Sequence, residues 1–108
     1  MNNPSTLELL EAELQSHSPR ESGEDVYRDL LYLARQIESN DHKPLVEALD
    51  TWLKQGTSPR ATYAVILAGD LKLRELRHAL EELRKQIVAE RTSPNATFLV
   101  DRAIKALS

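Results

Sequence analysis

One phrase is written twice in this chain. T-S-P-R-A-T-Y-A-V fills positions 57–65, and T-S-P-N-A-T-F-L-V fills 92–100, thirty-five residues later. In a chain of 108 residues, such an echo constrains the fold more than any composition figure, because each copy must begin the same local structure. Local chemistry says what it begins. Ser58 and Ser93 each stand directly before a proline. An N-cap serine accepts a hydrogen bond from a helix N–H that has no partner within the helix. Proline suits the next position, where its missing N–H is no loss. The phrase is a helix start signal, and it predicts helices opening at Ser58-Pro59 and at Ser93-Pro94.

The residues ahead of each copy also echo one another. At a shift of 34, Leu33-Ala34 falls on Leu67-Ala68, Ile37 on Leu71, Val46 on Leu80, Leu49 on Leu83 and Leu53 on Ile87. A fainter copy sets Leu10 and Leu14 over Leu49 and Leu53. Further start signals stand at Ser5-Thr6-Leu7-Glu8, a capping box, and at Ser22-Gly23-Glu24-Asp25. Apolar residues recur at the 3.6-residue period: Val26, Leu30, Leu33, Ala34 and Ile37, then Leu73, Leu76, Leu80, Leu83 and Ile87, then Leu99, Val100, Ala103, Ile104 and Leu107. The pattern predicts six helices over roughly 5–16, 23–38, 42–55, 59–69, 72–90 and 94–107. Gly69 is expected to end the fourth by adopting positive φ. The period of two that marks a strand is not sustained anywhere, so the chain reads as all-α.

Antiparallel helix pairs at a period near 35, with an L-A-G-D corner at 67–70, resemble the HEAT/armadillo class of α-helical repeats over residues 23–107. The resemblance implies a right-handed stack of helix pairs; a compact six-helix bundle is the alternative. It implies one domain: an acidic capping helix and linker at 1–22, repeats at 23–57 and 58–92, and a terminal half repeat at 93–108. It carries over a fold and no catalytic residues.

Composition narrows the function. With no cysteine, disulfides and thiolate chemistry are excluded. The first residues lack the basic flank and apolar run of a secretory signal, and no apolar stretch approaches the roughly 20 residues needed to cross a bilayer. A cytoplasmic protein without membrane association is expected, which leaves the sequon Asn95-Ala96-Thr97 without a glycosylating enzyme. His17, His42 and His78 fall on separate segments, are expected to face solvent, and give no metal-ligand spacing. Three glycines form no phosphate-cradling loop, and Glu81-Glu82 reads as surface charge. No catalytic, cofactor or metal site is predicted.

A binding module remains. The second members of the pairs share a face on which the repeat alignment places Asp50, Thr51, Trp52, Glu81, Arg84 and Lys85, with Arg77 and His78 alongside. Trp52 follows Leu45 and Leu49 at helical spacing, which favours the core; exposed, it would be an anchor of the kind that dominates interfaces. Residues 1–25 hold six acids against one base, which suits an inhibitor or immunity-type protein with a basic partner, or an adaptor. Two further readings stand beside this one. The helix at 94–107 could pair with a second copy through Leu99, Ala103, Ile104 and Leu107. The basic residues of helix 72–91 could contact nucleic acid, although acids interleave with them and the chain carries a net charge of −3.

Overall fold

The computed structural model describes residues 5–18, 20–55, 58–90 and 97–107. All regular structure among them is helical, in the order α1 (Thr6–Gln15), α2 (Gly23–Asn40), α3 (His42–Leu53), α4 (Pro59–Asp70), a single turn of 3-10 helix (Arg74–Leu76), α5 (Arg77–Glu90) and α6 (Phe98–Ala106). The chain is all-α. Its contacts group into two compact units, residues 1–48 and 49–108, so the division falls inside α3 and not at the S-P phrase.

In the first unit α1 packs on α2. Both helices start where their serines predict. The Ser5 hydroxyl accepts from the Glu8 N–H at 3.1 Å, and the Ser22 hydroxyl accepts from the Asp25 N–H at 3.2 Å. Leu10 of α1 is buried, as are Val26, Leu30 and Ala34, a stripe at i, i+4, i+8 along α2. Each leucine so removed from water contributes roughly 1.5–3 kcal/mol.

In the second unit α6 packs against both α4 and α5. Ser58 caps α4 by accepting from the Ala61 N–H at 3.2 Å, with Pro59 in the first turn. Ala61, Ala64, Val65, Leu67 and Ala68 are buried along this apolar helix. The matching start at Ser93-Pro94 lies outside the described residues; α6 is described from Phe98 onward, with Thr97 at its N-cap.

Two expectations about the corner after α4 are corrected. Gly69 does not end the helix with positive φ; it lies within α4, which runs on to Asp70. The left-handed residue is Lys72, at φ 54°. The Lys72 N–H donates to the Gly69 carbonyl at 3.3 Å, and the Leu73 N–H reaches back to the Ala68 carbonyl at 3.0 Å. This is a Schellman ending, sealed by the buried Leu73. The fifth helix is also not continuous from 72. The reversal at Lys72 and the non-helical Leu73 (φ −82°, ψ 81°) delay it, so the chain re-enters through the 3-10 turn before α5 begins at Arg77.

Candidate functional site

Within the second unit, the C-terminal part of α3 and the middle of α5 border an open cleft of about 730 Å³. From α3 come Asp50, Leu53 and Lys54, which share one side because three and four residues make about one helical turn. From α5 come His78, Glu82, Lys85 and Gln86, with Ala79 and Leu83 deeper. Leu53 and Leu83 are buried core residues, so the floor is apolar. The rim is charged and internally paired: Lys54 Nζ lies 3.0 Å from Asp50 Oδ2, and Lys85 Nζ lies 3.4 Å from Glu82 Oε1.

Three of the eight residues singled out from the sequence, Asp50, His78 and Lys85, line this cleft. The others do not. Trp52 is 0% exposed, so it is a core side chain and not a surface anchor. Its spacing from Leu45 and Leu49 on the same helix accounts for that burial. Arg77 pairs with Glu81 one turn on at 3.3 Å, away from the lining. Arg84 Nε donates to Asp101 Oδ1 at 2.6 Å, tying α5 to α6. Thr51 is exposed and is not part of the lining. Lys54, Glu82 and Gln86 line the cleft without having been singled out, though helical spacing carried the signal: Lys54 is i+4 from Asp50, and Glu82 is i+4 from His78.

The α6 face named for pairing with a second copy is half covered within the chain, with Ile104 intermediate. Ala103 and Leu107 are buried, whereas Phe98 is 63% exposed and Leu99 partly exposed. Among the described residues no group of three histidine, aspartate or glutamate side chains is disposed to hold a metal ion, and no helix is long and apolar enough to cross a membrane.

His17 departs from the expectation of a solvent-facing ring, since its side chain is only 9% exposed. It lies in the link between α1 and α2, where Nδ1 is hydrogen-bonded to the Glu21 carboxylate. That bond raises the imidazole above its ordinary pKa; desolvation opposes it, and the charges of Glu21, Asp29 and Glu13 reinforce it. The same hydrogen bond lowers the Glu21 carboxyl below the usual range, aided by the Ser18 N–H.

Comparison with protein-family models, with curated proteins and with solved structures finds no match to this chain.

Proposed function

We propose that this chain is a cytoplasmic, non-catalytic protein-interaction module on a HEAT/armadillo-like helical framework, and that its partner docks in the cleft between α3 and α5. One observation carries the reading: a cleft with Leu53 and Leu83 buried at its base and Ala79 partly exposed lies within a rim of paired charges. That pattern of an apolar centre and polar border is the usual anatomy of a protein interface. The rim pairs are exposed, so a partner's charges can replace them at little cost. The acid-rich N-terminal segment favours a basic partner, as in inhibitor and immunity-type proteins, through faster association.

The test is a tagged pull-down from lysate of the source cells at low and high salt, run beside Ala79→Arg, which fills the cleft, and Leu99→Glu, which leaves it intact. A near-stoichiometric protein retained by the wild type and Leu99→Glu but lost by Ala79→Arg supports the cleft. Equal capture by the wild type and both variants removes it. Recovery of nucleic acid that high salt releases favours contact through α5 instead. The exposed Phe98 and Leu99 give self-association through α6 its one specific support, and sedimentation of wild type against Leu99→Glu tests that.

A further inference from the structure

Carboxylates from three successive segments converge on one imidazole. Glu13 comes from α1, Glu21 from the link, and Asp29 from α2. His17 Nδ1 bonds Glu21, while Nε2 lies 3.5 Å from Glu13 Oε2 and 3.4 Å from Asp29 Oδ2. Nε2 is buried and makes no hydrogen bond among the described residues, so its attraction to both oxygens is Coulombic. Two of the carboxylates are held in place independently of His17. The Ser16 hydroxyl shares its proton between the Glu13 carbonyl at 2.7 Å and Glu13 Oε2 at 2.9 Å, and the Ser18 N–H donates to Glu21 Oε1 at 3.2 Å. Arg28, next to Asp29 in α2, is engaged with Asp25 at 2.8 Å.

Around a neutral ring, three carboxylates repel one another. Around an imidazolium, each is attracted to the centre, and that attraction offsets the repulsion among them. The charge on one side chain therefore shifts the balance for docking α1 on α2, on top of the apolar burial that Leu10 and Leu30 supply.

We propose that His17 is a proton-operated latch whose imidazolium fastens α1 to α2 and whose deprotonation loosens α1. The direction of the pH response follows from the shifts. His17 is raised, so its contribution is complete below the value of an unfolded histidine, about 6.5, and is lost as pH rises through the higher folded value. Glu21 is lowered, so its contribution is present above the unfolded carboxylate value and is lost as pH falls through the lower folded one. The latch is closed between these limits and opens on the alkaline side when His17 gives up its proton. Opening uncovers Leu10, which is buried when α1 is docked, and frees an acidic helix.

Nuclear magnetic resonance on the full chain tests this, following the three histidine rings and the amide exchange of α1 from about pH 5 to 9, the range in which histidines titrate. Exchange is expressed as protection, which removes the intrinsic pH dependence. His17 is expected to titrate above the ordinary imidazole value. Protection of α1 should fall through the same midpoint, by about tenfold for each pKa unit by which docking raises His17. The amides of α4 and α5 should not follow it. In His17→Gln, α1 should exchange at the unlatched rate throughout. Because the wild-type titration stands without the variant, a poorly folded His17→Gln does not rescue the idea. Protection of α1 that stays level through the His17 midpoint, or His17 titrating at or below the ordinary imidazole value of about 6.5, overturns it.

Discussion

Gly69 of α4 faces Ala103 of α6 so closely that a Cβ built on the glycine would lie 3.2 Å from the Ala103 Cα and 3.3 Å from its Cβ. The glycine is there for packing between helices and not for a helix end. In an exposed helix, glycine to alanine would stabilise by about 1 kcal/mol through propensity alone. Here the new methyl meets α6 backbone, which is itself held against α5. Gly69→Ala is expected to forfeit that gain, and Gly69→Leu to destabilise by about 1–3 kcal/mol through overpacking. Urea midpoints followed by circular dichroism check both. A clear stabilisation in Gly69→Ala would show that α6 can withdraw freely.

Lys72 carries the opposite lesson. It holds φ 54° at the end of the Schellman turn, a conformation that disfavours residues with a Cβ by roughly 1–2 kcal/mol. Its side chain is exposed, so little packing is lost on truncation. Lys72→Gly is expected to stabilise by about 0.5–1 kcal/mol, the relief being partly offset by glycine's greater freedom in the unfolded chain. Thermal unfolding of the two proteins side by side measures it. An unchanged or lower Tm would contradict the strain.

These two positions show where the sequence is legible. Serine caps act over three residues, and Ser5, Ser22 and Ser58 can all be placed from local pattern alone. The apolar stripes show which faces turn inward, Trp52 among them. Gly69 reads differently in the sequence because its reason for being glycine, Ala103, is thirty-four residues away and belongs to another helix. The site divides in the same way. Of the residues singled out from the sequence, Asp50, His78 and Lys85 border the cleft, and only packing separates the lining residues from their neighbours. At His17 the two acids at i−4 and i+4 are in plain view, while Asp29 joins them only because α2 folds back along α1.

Trp52 is the one tryptophan in the chain and is fully buried, so it reports on its own surroundings. Its fluorescence should be blue-shifted and poorly quenched by acrylamide in the folded protein, and should move to the red on unfolding. Trp52→Ala removes the largest fully buried side chain and is expected to destabilise by about 3–5 kcal/mol. Denaturant unfolding by circular dichroism provides the number. Emission typical of a water-exposed indole in the native state would contradict the burial.

The Arg84–Asp101 contact, at 2.6 Å, joins α5 to α6, and its shortness invites the view that it fastens the two helices. Solvation argues otherwise. Both side chains are about half exposed, so each charge is well hydrated when the contact is broken, and water screens their attraction when it is made. Burial of apolar side chains on α5 and α6, Leu80, Leu83, Val100 and Ala103 among them, outweighs what a hydrated ion pair contributes. A double-mutant cycle of Arg84→Ala and Asp101→Ala is therefore expected to return a coupling below about 1 kcal/mol, smaller again in high salt. Leu83→Ala, in the same helix as Arg84, should cost about 2–5 kcal/mol and respond little to salt. A coupling energy as large as the leucine's loss would mean that the pair is more shielded from water than its exposure implies.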